Sequence, residues 1–146
     1  MLDLDHFKLL NDSRGHAAGD AALKSVAQLL QKAYQRAGDV VIRWGGEEIL
    51  ILQPGVNALA AEEYAKRVRD DLRALDIPNP AAPLGCVTAS IGVAAYAPAP
   101  GTPVINPEEI AGRLISEADR ALYAAKNGGR NQVIATEVSV EIPDQL

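Results

Sequence analysis

The chain has 146 residues, 48% of them hydrophobic and 23% charged, which fits one soluble domain with a real core. A net charge of −5 excludes a broad basic footprint for nucleic acid, so a polyanionic ligand would need local cations or a metal. Cys86 is the one cysteine, so no disulfide forms within the chain; no stretch resembles a signal peptide or reaches the ~18 apolar residues of a membrane span.

The opening residues MLDLD alternate as a strand does, with Leu2 and Leu4 on one face and Asp3 and Asp5 on the other. A domain that starts in mid-strand is expected to lack part of its N-terminal region. HFKLLNDSRGHAAGD, residues 6–20, reads as polar and turn-like. A helix is expected from about Gly19 to Gln35, with Leu23, Val26, Ala27, Leu30 and Tyr34 at helical spacing and Gly38 as its C-cap. VVIRW and ILIL then flank GGEE as the two strands of a hairpin. Gly45 and Gly46 suit positive φ or close backbone approach. Glu47 and Glu48 repel each other unless a cation sits there, the alternative being solvated charges at a hairpin tip.

Asn57 reads as the cap of a helix over about 58–75, with Tyr64, Val68, Leu72 and Leu75 as its stripe. A proline-rich loop leads to the strand CVTASIGVAAY, with Val87, Ala89, Ile91 and Val93 on one face, and a second proline-rich loop follows. Asn106, Pro107 and Glu109 make a helix start, and that helix runs to about Lys126 before NGG. NQVIAT is a last strand, and the tail reads as an edge strand or as disordered. The order is strand, helix, strand, strand, helix, strand, helix, strand. It predicts an α+β fold with a mixed, mainly antiparallel sheet and helices on one or both faces. The domain is expected over residues 1–136, with a tail over 137–146.

If the first strand pairs beside the hairpin, Asp3, Glu47 and Glu48 converge at one edge. Magnesium takes hard oxygen ligands, and two such ions can clamp the oxygens of a phosphoryl transfer. The metal would supply the positive charge that adjacent carboxylates lack.

LDLDHFKLLNDSRGHAAGD, RWGGEEIL, ASIGVA and EADRALYAAKNGGRN, in this order from Leu2 to Asn131, resemble the GGDEF domain of diguanylate cyclases. The resemblance implies a fold like the palm of nucleotide polymerases and class III nucleotide cyclases. It implies condensation of two GTP, one on each of two facing domains, into cyclic di-GMP with release of pyrophosphate. Asp3 and Glu48 match its magnesium-binding carboxylates, joined by the Leu4 carbonyl, with two Mg2+ (or Mn2+) ions per active site. Glu47 matches the catalytic acidic residue, a metal ligand or a base toward the ribose 3′-hydroxyl. Gly45 and Gly46 match the glycines on which the nucleotide lies. Asn11 and Asp20 match the guanine-reading pair, a sensible one since a carboxylate accepts from guanine N–H groups and an amide completes the edge. Lys8, Lys126 and Arg130 match triphosphate cations. His6 and Phe7 match a loop whose amides face the phosphates. Each has an ordinary alternative: Asn11 as a turn residue, Asp20 as a helix cap, Lys126 and Arg130 as cations favoured at a helix C-terminus.

RAGD lies where the family carries its R-x-x-D product-inhibition site, implying that Arg36, Asp39 and Arg67 bind cyclic di-GMP. Arg36 and Asp39 face the same way if the helical turn persists, and a local ion pair is the alternative. Chemistry between two half-sites implies a homodimer. The partners implied are GTP and cyclic di-GMP, with no nucleic acid and no membrane insertion by this stretch. The location implied is cytoplasmic, alone or as part of a larger, even membrane-anchored, sensor.

Two departures stand out. Ile49 replaces the usual phenylalanine of the signature and is expected to point into the core. The helix that precedes the first strand in the family is absent, which is expected to expose apolar surface. A cyclic di-GMP receptor with little turnover is the competing reading. A different palm-type nucleotidyl transferase or an adenylyl cyclase is a third, against which Asn11 and Asp20 argue.

Overall fold

A computed structural model describes residues 1–98, 102 and 106–139. The elements in chain order are β1 (Leu2–Leu4), α1 (Phe7–Arg14), α2 (His16–Ala33), β2 (Val40–Arg43), β3 (Glu48–Leu52), α3 (Ala58–Ala74), β4 (Ala89–Ala95), α4 (Pro107–Asn127) and β5 (Val133–Glu137). The five strands form one sheet in the order β2-β3-β1-β4-β5. β1 is antiparallel to both β3 and β4, β2 is antiparallel to β3, and β4 and β5 are parallel. The α+β, mainly antiparallel expectation holds, and β1 lies at the centre of the sheet.

Strand alternation divides the packing. Leu2, Leu4, Ile49, Val87, Ala89 and Ile91 enter one core with Val26 and Leu30 of α2 and Val68 and Leu72 of α3. On the opposite face Met1 and Leu50 meet Ala118 and Leu122 of α4. Gly92 is needed there: a Cβ would overlap the Ala118 carbonyl and the Leu122 amide and stand 2.9 Å from Leu122 Cα. Helices therefore cover both faces. Ile49 is buried as expected, at 5% exposure.

The turn-like reading of residues 6–20 is corrected. Asn11, Asp12 and Ser13 lie in α1, because Phe7 and Leu10, three apart, are buried as one apolar face. Tertiary burial overrides the turn preference of the polar residues between them. Gly15, at φ +83°, separates α1 from α2. α2 therefore starts three residues before Gly19 and ends at Ala33, capped by Tyr34. Gly38, at φ +92°, belongs to the following turn and is not the cap.

β4 begins at Ala89, three residues after the expected start at Cys86; the other boundaries fall within two residues of the sequence cues. Asn57 caps α3 by accepting from Ala60 N, and Asn106 caps α4 by accepting from Glu108 N. The second proline-rich loop and the tail fall partly outside the described residues, while β5 runs through Glu137.

Candidate functional site

Asp3 and Glu48 are direct cross-strand partners. The next residue along, Leu4, donates its amide to the Glu47 carbonyl at 3.3 Å. One central strand thus brings the predicted carboxylates to the base of the Gly-Gly turn. The turn is closed by Trp44 N and Gly45 N, which donate to Glu48 O at 2.9 and 3.3 Å. Arg43 braces it from outside: Nη2 and Nε donate to Gly46 O at 2.8 and 3.1 Å, and Nε donates to Gly45 O at 3.3 Å. Neither Gly45 nor Gly46 has a left-handed φ, contrary to one use expected of them. Close approach accounts for Gly45, where a Cβ would stand 3.0 Å from Glu48 Oε2; around Gly46 there is open space.

Asp3 is buried at 6% exposure, and Lys126 Nζ lies 2.8 Å from its Oδ2. Burial pushes the Asp3 carboxyl above the usual carboxylate range; the Lys126 bond and charge oppose this, and the charges of Glu47 and Glu48 reinforce it. The register brings Asp3 and Glu48 together, but no group of three His, Cys, Asp or Glu among the described residues is close enough to hold a metal ion. Of the expected three-carboxylate convergence, register pairs Asp3 with Glu48 and leaves Glu47 outside β3, and no closed ligand set forms among the described residues; Lys126 answers the charge of Asp3 instead. By donor type, the oxygens of Asp3 and Glu48 suit a hard divalent cation.

On the outer side of the turn, a cleft of 520 Å³ is lined by Phe7, Lys8 and Asn11 of α1, Asp20 of α2, and Gly46 and Glu47. Asn11 Oδ1 is buried and has no hydrogen-bond partner. It rests on Gly19, where a Cβ would overlap it. Asp20 lies inside α2 and is not a cap. The guanine-reading candidates and the turn carboxylate therefore share one cavity. His6, at φ +55°, begins α1 without a side-chain cap, and Asn79 Nδ2 donates to its carbonyl at 3.2 Å.

Lys126 and Arg130 do not line that cleft; Lys126 lies in the last turn of α4 and Arg130 in the turn that follows it. Arg130 and Asn131 are consecutive left-handed residues, at φ +65° and +45°.

Arg36 and Asp39 are not held by a helical turn, since α2 ends at Ala33. They close a local turn instead: Arg36 N donates to Asp39 Oδ2 at 3.1 Å and Asp39 N donates to Arg36 O at 3.0 Å. The Arg36 guanidinium reaches Pro54 O at 3.5 Å. Asp39 Oδ1 is buried without a hydrogen-bond partner. Beside it, the Tyr34 phenol is pushed up to about 12 by burial and by the Asp39 charge. The Tyr34 ring lies 6.4 Å from the Tyr64 ring, over which Arg67 sits at 5.7 Å. Two aromatic rings thus link Arg67 to Asp39.

The sequence reading missed the burial of four polar residues, Asp5, Asn79, Thr88 and Ser90. Asp5 accepts from Thr88 Oγ1, Ser90 Oγ and Asn131 N, and Asn79 is fully buried. The signal for Asp5 was its place directly after a strand whose leucines, Leu2 and Leu4, are both core. No helix among the described residues is long and apolar enough to cross a membrane.

The family model described as "Diguanylate cyclase, GGDEF domain" matches residues 1–132. Diguanylate cyclase A of Treponema denticola is 38% identical over 134 residues, covering 91% of this chain and 33% of that protein. Diguanylate cyclase VdcA of Vibrio cholerae is 37% identical over 140 residues, covering 92% and 37%. The chain spans about a third of the length of these relatives. Among solved structures, the GGDEF domain of DgcB from Caulobacter crescentus in complex with c-di-GMP superposes with a TM-score of 0.75 at 32% identity, covering 92% of this chain and 74% of that one. An active GGEEF domain of a diguanylate cyclase from Vibrio cholerae gives 0.71 at 27% identity, covering 94% and 81%. The sheet and its flanking helices are the palm fold of these domains.

Proposed function

The chain belongs to the GGDEF domain family of diguanylate cyclases, and from that premise we propose that it condenses two GTP into cyclic di-GMP and two pyrophosphates. The observation that carries this reading is the in-register pair Asp3 and Glu48 at the base of a glycine turn, beside a cleft lined by Asn11 and Asp20.

Asn11 and Asp20 read the guanine edge. Lys8, Lys126 and Arg130 hold the triphosphate, and the amides of His6 and Phe7 face it. Asp3, Glu48 and the Leu4 carbonyl would hold two magnesium or manganese ions, which supply the charge neutralisation of the transferring phosphoryl group. Glu47 accepts the proton of a ribose 3′-hydroxyl. That oxygen bonds to the α-phosphorus of the second GTP, and the bond to pyrophosphate breaks; the same exchange in the other direction closes the ring. Each copy presents one GTP, so the reactive form is a twofold homodimer in the cytoplasm. The catalytic unit is residues 1–136.

Chromatography of the products from GTP and magnesium tests this. Product formation that disappears in Glu47→Gln is expected. Tight cyclic di-GMP binding with no turnover under any metal would replace the enzyme with a receptor module.

The turn at Arg36 and Asp39, with Arg67, is the product-inhibition site. Its support is the orphaned Asp39 Oδ1, an acceptor without a partner, linked through Tyr34 and Tyr64 to a second arginine. Arg36→Ala should weaken cyclic di-GMP binding in calorimetry and leave GTP binding intact. Equal product affinity in the variant removes this assignment.

A further inference from the structure

We propose that Asp5 is a positioning residue for the phosphate-holding arm: from the buried end of β1 it ties down the turn that carries Arg130. The inference rests on the reading of Arg130 as a triphosphate cation and concerns how that cation is placed.

Asp5 is 2% exposed and touches neither the cleft nor the Gly-Gly turn. Its carboxylate accepts from Ser90 Oγ at 2.6 Å, from Thr88 Oγ1 at 2.8 Å and from the Asn131 amide at 3.0 Å. The two hydroxyls belong to the neighbouring sheet segment and hold the carboxylate still. The third donor lies 126 positions away, in the turn after α4.

That turn needs holding. Arg130 and Asn131 both have positive φ, at +65° and +45°, and neither is a glycine. Such conformations persist when the surroundings over-determine them, and they cluster where geometry serves function. From the helix side, Arg130 N donates to Ala125 O at 3.0 Å and Gln132 Nε2 donates to the same carbonyl at 2.8 Å. From the sheet side, Asp5 completes the grip. β1 and the residue that follows it therefore hold this region at two points: Asp3 takes the Lys126 ammonium of α4, and Asp5 takes the Asn131 amide of the turn after it. Arg130 stands between them. The strand that carries the metal-binding carboxylate thus also sets where the phosphate cation stands relative to it.

A merely structural role would weaken every ligand alike; a positioning role acts on the phosphates alone. Calorimetry compares GTP with magnesium against guanosine, for the full chain and two variants. Asp5→Asn keeps the shape and removes the charge. Ser90→Ala removes the 2.6 Å hydroxyl partner that holds the carboxylate still and leaves the Asn131 turn itself unchanged, so it serves if Asp5→Asn does not fold. Both variants are expected to bind GTP roughly tenfold more weakly and guanosine unchanged. Unchanged GTP affinity, or equal loss for guanosine, overturns the role of Asp5. Arg130→Ala tests the underlying reading separately: if it leaves GTP affinity unaltered, Arg130 is not a phosphate cation, and the assignment falls with it.

Discussion

The Lys126 ammonium lies 2.8 Å from Asp3 Oδ2, on the carboxylate that faces Glu48 across β1 and β3. A cation from α4 thus sits on the carboxylate proposed to bind a metal. Lys126→Ala leaves Asp3 buried without its partner. Because Lys126 is about one-third exposed, the cost is discounted to about 1–3 kcal/mol in metal-free denaturant unfolding. Magnesium should restore more stability to this variant than to the parent. An equal magnesium response in both would mean that ion and ammonium do not compete.

Asp3 also predicts a pH dependence. Its folded-state carboxyl titrates above the ordinary 3.8, chiefly through burial. The fold then favours the protonated form, so its stabilising contribution is full below 3.8 and is lost as pH rises through the raised value. Urea midpoints followed upward from pH 3.5 should show this loss in the parent and not in Asp3→Asn. Parallel profiles for the two proteins would refute the assignment.

Gly92 and Gly112 should respond in opposite ways to alanine. At Gly92 the added carbon meets the backbone of α4 at Ala118 and Leu122. Gly92→Ala should cost about 1–3 kcal/mol, or more if α4 must lift from the sheet. At Gly112, inside α4, nothing lies within 4 Å. Gly112→Ala should stabilise by about 0.5–1 kcal/mol. Thermal unfolding of the pair gives the signs directly.

Gly19→Ala places a methyl onto Asn11 Oδ1 and 3.0 Å from the Phe7 ring. Displacement of Asn11 should weaken GTP binding roughly tenfold and narrow the preference for GTP over ATP. Competition binding with the two nucleotides checks this. An undiminished preference for GTP would remove Asn11 from guanine reading.

The legible parts of this molecule were those written in local pattern. Alternation in MLDLD, the GGEE turn between two apolar runs, and the Asn57 and Asn106 caps each carry their signal within a few residues. From these, the pairing of Asp3 with Glu48 follows once β1 lies beside the hairpin. Local cues misled where distant packing decides. Asn11, Asp12, Ser13 and Gly15 look like a loop, yet Phe7 and Leu10 bury a helical face. RAGD looks like a helix end, yet α2 stops at Ala33 and the four residues form their own turn. Asn79 was unreadable for the same reason, since its partner His6 lies far along the chain, and the donors that fix Asp5 are as distant, at Thr88, Ser90 and Asn131.

The strand that bears Asp3 has three residues and the innermost place in a five-stranded sheet. Both of its edges are paired and both of its faces are covered, so Leu2–Leu4 cannot fray independently of the domain. Amide exchange there should follow global unfolding. A site mounted so rigidly offers a regulator little to bend. If the reaction needs two such sites, as proposed, control over it falls on the gap and angle between whole copies, and a switch would steer rigid bodies and leave the reactive groups as they are.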